Sequence, residues 1–106
     1  MPYFLLFYET VDNYVEKRAP YRAAHLELAR DAHARGELLL AGALTDPADG
    51  AVLIFRAPDQ GAVEDFVRRD PYVQNGLIQT WRVRPWVVVI GNDPSEPGPI
   101  PPPAGR

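Results

Sequence analysis

The chain has 106 residues, 46% hydrophobic and 24% charged, the composition of one folded globular domain. A formal net charge of -3 provides no basic stripe for nucleic acid, and the lack of cysteine excludes disulfides, thiolate nucleophiles and Cys-ligated metal or iron–sulfur sites. No apolar run reaches the roughly 18 residues of a membrane span. The start of the chain has no basic segment and turns acidic by Glu9, so it is not read as a signal peptide. The expectation is a cytoplasmic protein with neither a nucleic-acid nor a membrane partner.

Tyr3 to Tyr8 is a continuous apolar and aromatic run of strand length that ends in polar residues, and it predicts the first strand. The stretch from Asp12 to Ala19 is long enough for one turn of helix. Pro20, favoured at a first helical position because it has no N–H to leave unpaired, opens a helix expected to run to about Arg35. Along it Tyr21, Ala24, His25, Leu28, Ala29 and Ala32 form one stripe at helical spacing, and Gly36 closes it as the residue that tolerates a left-handed backbone.

Glu37 to Leu44 and Ala51 to Phe55 predict a hairpin of two strands around the turn formers Asp46-Pro47-Ala48-Asp49-Gly50. Asp59 can cap a second helix, which buries Ala62, Val63, Phe66 and Val67 and ends at Asp70 before Pro71. Ile78 to Ile90 is expected to be the last strand. Within it Pro85 has no ladder donor and marks a bulge or a sheet edge. From Asn92 to Arg106, six of the chain's 12 prolines fall among almost no large apolar residues, which predicts a domain at 1–91 and a Pro-rich tail at 92–106.

The order βαββαβ is that of the ferredoxin-like split βαβ fold: an α+β domain with a four-stranded antiparallel sheet and two helices on one face. A sheet covered on one side should alternate apolar and polar residues. Tyr3–Tyr8, Leu38–Ala41 and Val52–Phe55 are instead apolar on both faces. The economical cover for the second face is the same sheet of another copy, giving a homodimer of the dimeric α+β barrel type, because the tail has too little apolar surface to do it alone.

Few residues can carry chemistry. His25 lies in the middle of the buried stripe of the long helix, where it is either a core histidine bonded to a carbonyl or a general acid/base. Asp70 before Pro71 is a favoured cap for a short turn through Tyr72 and Val73; it is equally a carboxylate able to fix the tautomer of His25. Arg22, one turn before His25, either holds an anionic group at a pocket rim or is merely solvated. Gly42, inside an apolar strand, marks a bulge or leaves room for a ligand. His33 reads as a surface residue. Two histidines without cysteine are too few for a metal site, and Ser95 in the tail, the only serine, makes a serine triad implausible.

Taken together, Arg22-x-x-His25-Leu26, Gly36-x-Leu38-Leu39-x-Ala41-Gly42, Gly50-Ala51-Val52-Leu53-Ile54, Asp70-Pro71-Tyr72 and Pro85-Trp86 resemble the YciI-like (YCII-related) family over about residues 3–88. The resemblance implies a ferredoxin-like dimer with a small pocket beside a His–Asp pair, here His25 and Asp70. A proline often stands in that family where this chain has Ala43. The function expected is a cofactor-independent lyase or isomerase for a small metabolite, with His25 moving a proton, Asp70 orienting it, and Tyr72, Arg22 and Gly42 lining the pocket. A non-catalytic ligand-binding or accessory dimer and a cofactor-free oxygenase are the alternatives.

Overall fold

The computed structural model describes residues 1–91, and the expected Pro-rich tail lies outside them. In chain order the elements are β1 (Tyr3–Thr10), α1 (Tyr14–Lys17), a 3-10 turn (Ala19–Tyr21), α2 (Arg22–Ala34), β2 (Leu38–Leu44), β3 (Gly50–Arg56), α3 (Gln60–Arg69), α4 (Pro71–Gln74) and β4 (Ile78–Trp86). The four strands form one antiparallel sheet in the order β2-β3-β1-β4, the ferredoxin-like arrangement.

β1 is central, and successive side chains point to opposite faces of the sheet. Phe4, Leu6 and Tyr8 face the helices and are buried. They pack with Leu53 and Phe55 of β3, Ala32 of α2, and Val63, Phe66 and Val67 of α3. The Phe55 and Phe66 rings meet edge to face at 5.1 Å. Local signals set the helix ends. Asp59 caps α3 by accepting from the Ala62 amide at 3.1 Å, and Gly36 follows α2 with a φ of 81°.

The other face of the sheet carries Tyr3, Leu5 and Phe7 of β1, Val52 and Ile54 of β3, and Leu40 of β2, in register with one another. No helix of the described residues covers it, and Leu40 is 68% exposed. Arg82 of β4 lies over the Phe7 ring at 4.9 Å.

Four expectations are corrected. Pro20 lies in the 3-10 turn, and α2 proper begins at Arg22. Ala24 is exposed rather than part of the buried stripe. β4 stops at Trp86, because Trp86 already pairs with Tyr3, the first residue of β1, and the ladder has no partner further on. Val87, Val89 and Ile90 are largely exposed. The irregularity in β2 falls between Leu38 and Leu40, not at Gly42. Pro85 stands on β4, an edge strand, the part of a sheet where proline is tolerated.

Candidate functional site

Pro71 keeps the residue before it out of the helical region. Asp70 is accordingly extended, with φ −72° and ψ 119°, and it separates α3 from α4. Its carboxylate turns back to cap α4: Oδ1 accepts from the Tyr72 amide at 2.9 Å. The same Oδ1 lies 2.8 Å from His25 Nδ1, and Oδ2 accepts from the Tyr8 hydroxyl at 2.8 Å. The side chain of Asp70 is 0% exposed and that of His25 15%.

Three donors converge on one buried carboxylate. An isolated buried carboxylate is expensive, so each hydrogen bond is needed. Since an ionised Asp70 only accepts, the proton between it and His25 sits on Nδ1. Nε2 is then the ring nitrogen available to the surroundings. The imidazole is also clamped flat against the Tyr72 ring, with centroids 3.8 Å apart and planes 8° from parallel, and Tyr14 meets Tyr72 edge to face at 5.7 Å. Position, rotation and tautomer of His25 are therefore all held from outside the residue.

His25 opens on a cavity of about 330 Å³. Its floor is Tyr8, Ala51 and Leu53 of the sheet, and one wall is Ala41, Gly42 and Ala43 of β2. The space exists because the residues facing it are small: with Ala29 of α2, five of the lining residues are alanine or glycine. Arg18 and Arg22 complete the rim with Tyr14 and Tyr72. Arg18 stacks over the Tyr14 ring at 5.3 Å.

Two hydroxyls here differ in kind. That of Tyr8 is held protonated, pushed far above its ordinary range by burial, then by the Asp70 charge and the hydrogen bond to it. That of Tyr72 is also pushed up, by burial and by Tyr14, while the Arg22 and Arg18 cations pull the other way. Arg22 lies near enough to act on that oxygen as a donor, yet among the described residues the buried Tyr72 hydroxyl has no acceptor for its own proton. A buried polar group left so costs about 1–3 kcal/mol.

The structure thus brings His25 and Asp70 into contact and sets Arg22 and Tyr72 on the same cavity. Gly42 joins only through its backbone. It stands opposite Val52, so a side chain there points to the other face of the sheet, where a Cβ meets nothing within 4 Å. His33 is exposed at the end of α2, its Nδ1 2.8 Å from the Leu38 carbonyl oxygen. Among the described residues no cluster of three or more His, Asp or Glu side chains could hold a metal, and no helix is long and apolar enough to cross a membrane. Sequence reasoning did not single out Tyr8, Tyr14 or Arg18. For Tyr8 a partial signal existed: with Thr10 it puts hydroxyls on the alternating stripe that begins with the apolar Phe4 and Leu6.

Among known proteins, one of 30% identity over 97 residues is an uncharacterized protein of Haemophilus influenzae, the match covering 83% of this chain and 99% of that one. In solved structures, the fold resembles the 5-chloro-2-hydroxyhydroquinone dehydrochlorinase of Burkholderia phenoliruptrix in complex with 2,5-dihydroxybenzoquinone, with a TM-score of 0.70 at 24% identity over 80% of this chain and 93% of that one. It also resembles an antibiotic biosynthesis monooxygenase, with a TM-score of 0.54 at 18% identity over 85% of this chain and all (100%) of that one. At those identities the likeness is one of fold. Residues 1–87 match the YCII-related domain, and the chain belongs to that family.

Proposed function

We propose that this protein is an acid/base enzyme that moves a proton on a small, ring-hydroxylated metabolite in an elimination or an isomerisation, with no cofactor. The observation that carries the reading is a fully buried carboxylate that meets three donors, one of them His25 Nδ1, beside an open cavity. Capping α4 requires only the Tyr72 amide; the bonds from His25 and Tyr8 go beyond it. With Nδ1 occupied, Nε2 is the base. Asp70 orients the ring and stabilises its protonated form as the proton arrives. In an elimination Nε2 takes the substrate proton, the electron pair left behind forms the new double bond, and the leaving group departs with its bonding pair. The dehydrochlorinase of like fold, bound to a dihydroxybenzoquinone, supports this class of reaction and substrate.

We also infer a homodimer through the open sheet face, since Tyr3, Leu5, Phe7, Val52 and Ile54 offer an apolar surface over which no helix of the described residues lies. The test of the dyad is nitrogen NMR of His25 in the wild type and in Asp70→Asn. The expected result is a proton on Nδ1 in the wild type and its loss from Nδ1 in the variant; an unchanged tautomer sinks the dyad. A His25→Ala protein that keeps its stability and every activity identifies a binding module instead, and oxygen consumed in step with turnover identifies an oxygenase.

A further inference from the structure

The cavity carries a charge pattern that the proton-transfer reading leaves unexplained. Of the 13 described residues that line it, two are arginines and none is acidic. The one carboxylate nearby, Asp70, lies behind His25 and is consumed by its three donors. Arg18 and Arg22 stand four residues apart across the 3-10 turn, so both reach the same rim. Neither has a carboxylate within ion-pairing distance among the described residues. Arg18 is held by its stack on Tyr14.

The second observation is the Tyr72 hydroxyl. The residue is 1% exposed, lines the same cavity, and among the described residues its hydroxyl has no acceptor for its proton. Folded structures seldom leave a buried hydroxyl so. Two cations and an unspent donor at one rim form the complement of an oxygen anion: guanidinium groups bind it by charge-assisted hydrogen bonds, and the phenol supplies a further one.

We propose that Arg18, Arg22 and Tyr72 form an oxyanion subsite, which selects small ligands bearing a carboxylate or phenolate and sets the rest of the molecule against His25. The subsite rests on reading this cavity as a substrate site. It assigns Arg18, Arg22 and Tyr72 to binding and specificity, and leaves proton transfer to His25. Burial keeps the Tyr72 hydroxyl protonated and able to donate.

The experiment uses salicylate and salicylamide, nearly the same shape and differing in charge, titrated into the full chain by calorimetry. Salicylate is expected to bind roughly tenfold or more tightly than the amide. Arg18→Gln and Arg22→Gln should each weaken salicylate severalfold with little effect on salicylamide, and the double variant should abolish the preference. Tyr72→Phe should weaken salicylate while leaving the unliganded protein as stable or more so, because the unpartnered hydroxyl is gone. His25→Gln should keep the preference for the anion, so a failure of the proton-transfer reading is separable from a failure of this one. No saturable binding of salicylate, equal binding of the two probes, or a preference that survives the double variant overturns the proposal.

Discussion

The two faces of the sheet are made from the same strands, and each bears a concavity of comparable size. Under α2 the cavity of about 330 Å³ is bounded by His25, two arginines and three tyrosines, with Asp70 behind them. On the open face a cavity of about 270 Å³ lies among Tyr3, Leu40, Ile54, Trp86, Val88 and Ile90, and no lining residue carries a charge. The difference follows from what the residues of β1 meet. Tyr8, on the covered side, finds a buried carboxylate to bond; Tyr3, Leu5 and Phe7, on the other, stand in register with Trp86, Ile54 and Val52 and with Arg56, Arg84 and Arg82, and with no carboxylate. Chemistry needs fixed polar groups in a place where unpaired ones are costly, whereas association needs apolar area. The covered face suits the first and the open face the second.

The largest expected effect separates the faces by removing the charge. Asp70→Ala leaves Tyr8, His25 and the Tyr72 amide without their acceptor and uncaps α4. A loss of about 3–5 kcal/mol in unfolding free energy by urea denaturation is expected, as for other broken buried pairs. A loss under about 1 kcal/mol means that the three donors find other partners and that the carboxylate is not the keystone of the site.

On the open face the corresponding change is Ile54→Glu. Ile54 faces away from the helices, so the fold of one copy should survive, while a charge set in an apolar interface opposes pairing. Sedimentation should show the mass of two chains in the wild type and one in the variant. A variant that stays paired removes this face from the interface, and a wild type of one chain's mass removes the dimer.

How far the sequence foretold these faces depends on whether a residue's role was local. The strand and helix order was legible because apolar periodicity and turn residues act over neighbours, and it ordered the sheet as well. Asp70 was legible as a cap from Pro71; its meeting with His25 was implied mainly by the family resemblance, because spacing alone does not bring two helices together. The structure has both on one carboxylate, whose two oxygens serve several donors at once, so the two readings were never alternatives. Tyr8 was legible as a hydroxyl on the buried stripe of β1 but not as a partner of Asp70, because that contact joins residues 62 apart in sequence. Arg18 reaches the cavity only through the 3-10 turn that precedes α2. Val87–Ile90 reads as strand on composition, yet a strand exists only where another strand pairs with it, and β1 begins at Tyr3.

Tyr8→Phe probes the same carboxylate more gently. Losing one hydrogen bond to a charged acceptor should cost about 1.5–3 kcal/mol at neutral pH. The pH dependence tests the cause. In the unfolded chain the Tyr8 hydroxyl loses its proton near its ordinary value of 10.0, whereas in the fold its pKa is raised and the proton stays. Above that value the native state binds more protons than the unfolded one, so stability falls as pH rises, by about 1.4 kcal/mol per pH unit from this group. Tyr8→Phe should flatten the decline by that amount, leaving the smaller share from Tyr72. An equal slope in both proteins means that Tyr8 is not shielded as the geometry indicates.

The smallest effect expected is at Gly42, which touches both faces. Its backbone borders the cavity, but its missing side chain points to the open face into free space, and its φ lies outside the left-handed region. Gly42→Ala should therefore leave salicylate affinity unchanged. Stability should rise by up to about 1 kcal/mol, because alanine loses less backbone freedom on folding. The same added methyl lies beside Val52 on the proposed interface, so the monomer–dimer equilibrium is where any change should appear. Weaker ligand binding with an unchanged equilibrium would return Gly42 to the ligand site and put a bound molecule in contact with the open side of β2.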